Sequence, residues 1–242
     1  MLCTGFQALS VQRLVTNGGL DDNTTPGTFR YEVNNAFFGD TIVLDISTDT
    51  IYCHVLGEIN ISNNLTIIGH GNSYLTTNTN SRFATITGDA TFENLDIIFC
   101  VDAGNGGGLN HSSGTLTLVD VLMHDCVSGG SGGAIFTTGS LNVLSSAFLN
   151  NQANGGGAIH YGSGPTISSF VDSTIFADNV VNAGFFGGAV EILFTVGTID
   201  FNRCVFDNNT SMTSHGGAFD INSGATIVID SCDIFNNHAD GD

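Results

Sequence analysis

The sequence of 242 residues contains no lysine and no tryptophan, and its only basic side chains are Arg13, Arg30, Arg82 and Arg203. Against them stand 23 acidic residues, which give a formal net charge of −19. Binding to nucleic acid or to an anionic lipid surface requires clustered basic side chains that neutralise phosphates. The scarcity of positive charge therefore excludes both classes of partner.

Long apolar runs, frequent proline and paired-cysteine motifs are also missing. No stretch of about 18 apolar residues occurs, so no transmembrane helix is predicted. The sequence has two prolines and no Gly-X-Y period, which excludes collagen. Its six cysteines include no CxxC pair, which disfavours a zinc ribbon or a thioredoxin-type redox site. The N-terminus has neither the basic nor the apolar region of a signal peptide, so none is predicted.

Glycine, by contrast, is abundant, with 32 residues, and part of it recurs in one motif. Two glycines followed by a small or apolar pair occur five times, at intervals of 25, 24, 31 and 29 residues. The copies are Gly107-Gly108-Leu109-Asn110, Gly132-Gly133-Ala134-Ile135, Gly156-Gly157-Ala158-Ile159, Gly187-Gly188-Ala189-Val190 and Gly216-Gly217-Ala218-Phe219. Repetition at this interval is typical of a solenoid protein.

A second motif keeps the same period. An apolar residue followed three positions later by asparagine occurs as Phe148/Asn151, Phe176/Asn179, Phe206/Asn209 and Ile234/Asn237, with Met123/Cys126 as an earlier degenerate copy. Short alternating stretches, such as 115–118 and 226–229, predict strands between the motifs. Together these features predict an all-β fold, a single-stranded right-handed parallel β-helix of about eight rungs with an N-terminal cap.

In such a solenoid, equivalent residues of successive rungs stack about 4.8 Å apart. The apolar residues of the second motif are therefore predicted to form an inward ladder, and Cys204 and Cys232 are predicted to be stacked interior neighbours. The motif asparagines are predicted to adopt left-handed backbone at the corners and to bond orphaned turn amides. The paired glycines are predicted to permit a sharp bend and a close approach of neighbouring rungs. All of these residues are interpreted as structural.

The strand pattern continues before residue 100, for example at 41–46 and 64–69. We predict an N-terminal strand and cap over residues 1–40 and one parallel β-helix over 41–242, with clear repeats from about residue 105. One solenoid accounts for the whole length, so no second domain is predicted.

The N-terminal segments LVTN (14–17), GTFRYEVNNA (27–36), GDTIV (39–43) and NLTIIG (64–69) resemble the cap and first rung of large bacterial right-handed β-helix surface proteins. The GGA(I/V/F) and FxxN motifs resemble the repeats of the polymorphic outer membrane proteins, and the resemblance covers most of the chain. It implies a secreted or surface-displayed adhesive stalk, outer membrane-associated in a bacterium, with no catalytic residues to transfer.

We therefore expect a non-catalytic extracellular or cell-surface protein with a structural or adhesive role, whose partner is a protein or a glycan. It is not expected to insert into a membrane. The alternative is a polysaccharide-cleaving enzyme, either a glycoside hydrolase or lyase-like. A lyase needs a basic residue, and Arg203 is the only arginine of the repeat region. A hydrolase needs carboxylates that face one groove, whereas the plentiful aspartates are expected to face solvent. These are Asp172, Asp178, Asp200, Asp207, Asp220, Asp230 and Asp233.

The most informative variation in length lies between each FxxN motif and the next Gly-Gly, where the spacings are 6, 5, 8 and 7 residues. Insertions at the same position of successive repeats lie on one edge of a solenoid, often the binding edge. Phe185 and Phe186 in one such loop, and Met212 and His215 in the next, are the predicted partner-binding residues. The other interpretation is that the two phenylalanines fold back over the solenoid.

End-to-end stacking is a further prediction, because a rung without a neighbour exposes unpaired strand edges. In this hypothesis the C-terminal rung of one copy meets the N-terminal end of the next, which gives a filament. No cofactor is predicted, since the seven histidines fall at different phases of the repeat. Ca²⁺ at Asp and Asn corners stays open as an alternative, although the Gly/Asp nonapeptide pattern is missing.

Overall fold

Alternation of apolar and polar residues gives this chain many short strands that bury one face each. The computed structural model describes residues 10–45, 50–52, 56–70, 73–77, 80–182, 187–212 and 215–241. These residues form 28 strands and one helix, and all the pairings between the described strands are parallel. The fold is a parallel β-solenoid of about eight turns, which confirms the predicted fold class.

The elements follow one another along the chain in a regular order. The N-terminal elements are β1 (Gln12–Val15), α1 (Phe29–Asn34), β2 (Thr41–Leu44), β3 (Thr50–Tyr52), β4 (Ile59–Ile61), β5 (Leu65–Ile68), β6 (Tyr74–Thr76), β7 (Ala84–Thr87), β8 (Ala90–Ile98) and β9 (Val101–Asp102). The central ones are β10 (Leu109–Ser113), β11 (Thr115–His124), β12 (Val127–Ser128), β13 (Ile135–Thr137), β14 (Ser140–Leu144), β15 (Ala147–Leu149), β16 (Gln152–Ala153), β17 (Ile159–Tyr161), β18 (Ile167–Asp172), β19 (Ile175–Ala177) and β20 (Val180–Val181). The C-terminal ones are β21 (Val190–Leu193), β22 (Gly197–Asn202), β23 (Val205–Asp207), β24 (Thr210–Ser211), β25 (Phe219–Asn222), β26 (Thr226–Asp230), β27 (Asp233–Phe235) and β28 (His238–Ala239).

Three sheets run along the solenoid, and each rung contributes to all three in the repeat region. Sheet one has the central order β1-β2-β5-β8-β11-β14-β18-β22-β26, with the row β15-β19-β23-β27 beside it. Sheet two has the order β25-β21-β17-β13-β10-β7-β4, and sheet three the order β28-β24-β20-β16-β12-β9. The apolar core lies between the sheets.

The short helix α1 covers the N-terminal end of the core, as the sequence predicts. The Thr28 side chain accepts a hydrogen bond from the Tyr31 N–H, which caps the helix, and Phe29 and Val33 are buried below it. The helix packs against β1, β2 and β4. No helix in the described part of the chain is long and apolar enough to cross a membrane.

The apolar residues of the FxxN motif form the predicted inward ladder. Met123, Phe148, Phe176 and Phe206 are in register on neighbouring strands, and all four are fully buried. The rings of Phe148 and Phe176 stack at 5.0 Å, and those of Phe176 and Phe206 at 4.6 Å. Stacked aromatic rings add stability beyond the area that they bury.

The asparagines of the same motif form a second, polar ladder inside the solenoid. The Asn179 amide oxygen accepts hydrogen bonds from the backbone N–H and the side-chain amide of Asn151, both at 3.0 Å. The Asn179 side-chain amide donates in turn to the Phe148 carbonyl and to the Asn209 amide oxygen, both at 2.9 Å. Asn209 and Asn237 repeat this pattern. We call these four residues the asparagine ladder.

The predicted left-handed conformation belongs to a different residue from the one expected. The residue immediately before each motif asparagine has positive φ, from 54° to 57°, as at Asn150, Asp178, Asn208 and Asn236. The prediction that the motif asparagines take the left-handed backbone is therefore wrong. The preceding residue turns the chain, and this turn points the motif asparagine inward.

The paired glycines lie where neighbouring rungs come closest. A Cβ atom on Gly133, Gly157 or Gly188 would overlap the backbone carbonyl of the equivalent glycine in the next rung. The first glycine of each pair has positive φ, for example 59° at Gly156. The predicted position of the first Gly-Gly motif is wrong by one residue. Because Leu109 pairs with Ile135, the first copy of the motif is Gly106-Gly107 and not Gly107-Gly108.

Cys204 and Cys232 are stacked neighbours in the interior, as predicted. The Cys204 N–H donates to the Cys232 Sγ at 3.3 Å. The equivalent residues of earlier rungs are Ser146 and Thr174, whose hydroxyls donate to the carbonyls of Leu144 and Asp172. Small side chains with a hydrogen-bond donor therefore stabilise the bend between the two rows of strands in sheet one.

We expect Asn179→Ala to destabilise the fold by about 3 kcal/mol or more, because it leaves the Asn151 N–H and the Phe148 carbonyl buried without their partner. Asn142→Ala, at a half-buried position on the outer face of β14, should change stability by less than about 0.5 kcal/mol. Urea unfolding of both variants measures the difference. Equal effects of the two substitutions would contradict a structural role for the asparagine ladder.

We expect Gly157→Ala to cost about 2 kcal/mol or more, since the added methyl group overlaps the Gly188 carbonyl and forces neighbouring rungs apart. The matched control is Gly224→Ala, where the nearest heavy atom to a new Cβ lies at 3.8 Å. Thermal melting should show a lowered Tm for Gly157→Ala alone. A wild-type Tm for that variant would mean that rungs are not held at this spacing.

Candidate functional site

Two of the predicted partner-binding residues, Met212 and His215, lie on the edge between sheets three and two. Phe185 and Phe186 lie outside the described residues. Met212 follows β24, is 48% exposed and donates its N–H to the Val181 carbonyl at 2.9 Å. His215 lies in the same connection, is exposed and precedes Gly216. Met212 and His215 therefore lie on the loop edge that the sequence indicated.

Beside this edge, the outer face of sheet two carries a column of stacked, mostly polar side chains. Its residues follow each Gly-Gly motif at a constant distance and pair in register from rung to rung, while their chain neighbours Ile135, Ile159 and Val190 point into the core. The column consists of Asn110, Phe136, His160, Glu191 and Asp220. We call it the outer column.

A buried hydrogen bond between a histidine and a glutamate lies in the middle of the outer column. His160 Nδ1 and Glu191 Oε2 are 2.7 Å apart, and their side chains are 6% and 1% exposed. The His160 ring stacks on Phe136 with a centroid distance of 5.1 Å. The second carboxylate oxygen of Glu191, Oε1, is buried and has no hydrogen-bond partner among the residues that the structure describes.

Asp220 extends the cluster toward His215. Burial, followed by the neighbouring Glu191 carboxylate, raises the pKa of Asp220, while His215 acts in the opposite direction. The structure thus brings a residue predicted for binding, His215, close to Asp220. Two carboxylates on neighbouring rungs and two histidines make a cluster that can hold or pass a proton.

Sequence reasoning missed Glu191 and His160 as members of a site. Each occurs once at its position in the column, so no repetition draws attention to them. Both positions could be found by aligning the Gly-Gly motifs, because the residue four places after the first glycine always lies on the outer face. The prediction for Asp172 is wrong. This residue was expected to face solvent, but it is 8% exposed and pairs with Arg203.

A second surface feature is a groove of about 510 Å³ that crosses the rungs on the outside of sheet one. Its floor includes Leu122, Ala147 and Ile175, which are in register on β11, β15 and β19. Its other lining residues are Asp96, Asp120, Val121, Ser145, Ser146, Leu149 and Ser173. We call it the axial groove. It forms because the chain bends at residues with positive φ, among them Asp120, Ser145 and Ser173.

The axial groove combines apolar and acidic character. Ile175 is 45% exposed on its floor. At one end, burial raises the pKa of Asp96, while His124 acts in the opposite direction. No arginine lines the groove among the described residues. Its chemistry therefore suits an uncharged or a positively charged partner.

All four arginines are already paired with acids. Arg13 pairs with Glu32 and Asp40, and Arg30 pairs with Asp21. The remaining pairs are Arg82 with Glu58 and Asp102, and Arg203 with Asp172. An anionic substrate would have to compete with these carboxylates for every guanidinium.

The histidines and acids do not form a metal site within the described ranges, where no group of three or more His, Cys, Asp or Glu side chains could hold a metal ion. His111 is fully buried and lies 2.9 Å from Thr137 Oγ1 through its Nδ1. Burial lowers the pKa of His111, so its neutral form belongs to the core.

We expect Asp220→Asn to stabilise the fold near pH 7 and to have little effect near pH 3.5. A raised folded-state pKa means that the native protein binds this proton more tightly, so stability is lost as pH rises through that pKa. Removing the charge should raise the Tm by about 1–3 °C at neutral pH. Asp200→Asn, on the outer face of β22, is the control. The same Tm change at both pH values would contradict the assignment.

The outer column and the axial groove lie on different sheets and differ in chemistry: the middle of the column is buried and polar, and the groove is open and partly apolar. Comparison of the chain with family models, with curated proteins and with solved structures finds no match in any of the three.

Proposed function

We propose that this chain is a non-catalytic structural or adhesive solenoid that acts outside the cell or at its surface and binds a glycan or a protein. The observation that carries the proposal is that its repeated side chains serve the stack itself. The phenylalanines, asparagines and glycines of the two motifs are buried between rungs. Chemistry directed at a substrate has to come from residues outside the repeat.

The axial groove is the surface best suited to binding. It takes residues from several successive rungs, so an extended ligand along the solenoid axis would meet a similar set of groups at each step. The spacing of those steps is the distance between strands, about 4.8 Å. Exposed Ile175 offers apolar contact, and Ser145 offers a hydroxyl for hydrogen bonds.

The charge of the molecule narrows the class of ligand. With a net charge of −19 and every arginine paired, the surface favours neutral or amino-bearing glycans and basic protein surfaces over anionic polymers. This supports the expectation that nucleic acid is not a partner. It also weighs against uronate-containing polysaccharides.

Polysaccharide hydrolysis is the second candidate, and one observation favours it. Glu191 and Asp220 are neighbours in register on parallel strands, whose spacing is close to the carboxylate separation of about 5–5.5 Å in retaining glycosidases. The raised pKa of Asp220 would suit a proton donor. The burial of Glu191, however, keeps a sugar ring away from the carboxylate that would attack it. We therefore prefer the binding function.

End-to-end assembly stays a proposal with one refinement. Ile229 and Ile234 on the last described rung are 42% and 48% exposed, although their equivalents Phe201 and Phe206 are fully buried. The opposite end of the core is covered by α1. In a head-to-tail filament these two isoleucines would pack against the N-terminal end of the next copy, which would bury apolar surface.

We expect Ile175→Asp to reduce ligand binding at least about ten-fold, because it places a charge on the apolar floor of the axial groove. Val228→Asp, at a similarly exposed outer position (44%), should leave binding unchanged. The assay is binding of the full chain to immobilised neutral and amino-bearing oligosaccharides, with release of reducing ends followed in parallel. Equal loss in both variants would contradict the groove assignment. Release of reducing ends that Asp220→Asn abolishes would favour the hydrolase.

A further inference from the structure

Two pairs of cysteines are stacked on neighbouring rungs inside the solenoid. Cys100 and Cys126 come directly before β9 and β12, which pair in parallel, and both are fully buried. Cys204 and Cys232 come directly before β23 and β27, and Cys232 is only half-buried. All four thiols are free in the structure. The two pairs therefore share a geometry and differ in access to solvent.

We propose that Cys204 and Cys232 are a site of oxidative modification, at which a small-molecule disulfide such as oxidised glutathione converts the two thiols to an intramolecular disulfide. The bond would tie the rung containing β27 to the rung containing β23. This inference is independent of the proposed binding function, because it concerns the thiols alone.

The backbone geometry places the two residues within reach of each other. Val205 pairs with Asp233, so the preceding cysteines face each other across strands about 4.8 Å apart, inside the Cα range of about 4.4–6.8 Å for disulfides. Cys232 Sγ already lies 3.3 Å from the Cys204 nitrogen. The Cys204 thiol donates only weak hydrogen bonds, to Val171 and Asn202 carbonyls at 3.5 and 3.3 Å. These weak bonds leave the Cys204 side chain able to rotate about its Cα–Cβ bond toward Cys232.

Strands in register hold their Cβ atoms slightly farther apart than a disulfide prefers, so one rung has to move by a few tenths of an ångström. The residues on either side of Cys232, Ser231 and Asp233, are exposed and leave room for this shift. Cys126 has no such freedom, because its N–H donates to the Asn151 amide oxygen in the following rung. Only the Cys204–Cys232 pair is therefore expected to close.

The reaction proceeds in two exchanges that balance. The Cys232 thiolate attacks one sulfur of oxidised glutathione, which forms a mixed disulfide and releases one glutathione thiolate. The Cys204 thiol then loses its proton and attacks the Cys232 sulfur, which releases the second glutathione. Burial raises the pKa of Cys204 to about 12, so the second exchange is the slower one. The protein loses two electrons and two protons, and one oxidised glutathione becomes two reduced molecules.

The disulfide can be detected by peptide mapping, because cleavage after arginine isolates the two cysteines in one peptide. Cleavage after Arg13, Arg30, Arg82 and Arg203 leaves Cys204 and Cys232 together in the peptide 204–242 and separates them from every other cysteine. The folded chain is incubated with oxidised glutathione, alkylated under native and then denaturing conditions, and digested. Wild type should give peptide 204–242 lighter by two hydrogens, with Cys100 and Cys126 in peptide 83–203 still reduced.

Two variants separate the steps. Cys204→Ser should stop at a glutathione adduct on Cys232, and Cys232→Ser should leave Cys204 unmodified. Circular dichroism of both variants serves as the control for correct folding. The proposal is overturned if peptide 204–242 keeps two free thiols, if it carries only glutathione adducts in wild type, or if Cys232 links two chains on a non-reducing gel. Equal oxidation of Cys100 and Cys126 would also overturn it, since that pair would then be as accessible.

Discussion

The asparagine ladder fixes the register of the rungs, because the amide oxygens of Asn179, Asn209 and Asn237 each accept hydrogen bonds from two donors of the rung before. Asn179 cannot slip by one residue without leaving the Asn151 backbone N–H and side-chain amide without their acceptor, in a place that water does not reach. A register slip would also move the phenylalanine ladder from the core to the outside. The hydrogen-bonded amides and the stacked rings beside them thus enforce the same alignment. Consistent requirements of this kind favour one fold over its competitors.

This constraint explains why rungs of different length can coexist. Extra residues enter between the FxxN corner and the next Gly-Gly, and also between sheets two and one, as in the connection from β17 to β18, and leave the ladders undisturbed. The glycine pairs restore the close approach of neighbouring rungs after each loop. The outward positions of the strands are likewise free to vary. His160, Glu191 and Asp220 occupy such positions, and so does the floor of the axial groove.

Most of the fold could be predicted from the sequence because stacking repeats its requirements in every rung. The FxxN motif alone predicts the burial of Phe176, and the cysteines two residues earlier in the last two copies identify the pair Cys204 and Cys232. The first Gly-Gly copy was placed one residue late, because three glycines at 106–108 allow two alignments. The left-handed corner was assigned to the motif asparagine because its neighbour varies among Asn and Asp.

The candidate sites were much harder to predict, for a physical reason. Glu191 pairs with His160, 31 residues away, and this contact exists only once the rungs have stacked. The axial groove depends on a bend between two strands of each rung, and its residues have no common motif. His215 was found through a loop-length argument, but its acidic neighbour Asp220 was assigned to solvent. A contact that is made only once, between particular residues of two rungs, leaves no periodic mark in the sequence.

Exchange of the side-chain amide protons of the asparagine ladder, measured by NMR after transfer to deuterated water, tests the in-register stack most directly. We predict that the side-chain amides of Asn151, Asn179 and Asn209 exchange as slowly as the buried backbone amides beside them. The side-chain amide of Asn142, on the outer face, should exchange within the dead time. Fast exchange at Asn179 while neighbouring backbone amides stay protected would contradict the claim that the ladder holds the rungs in register.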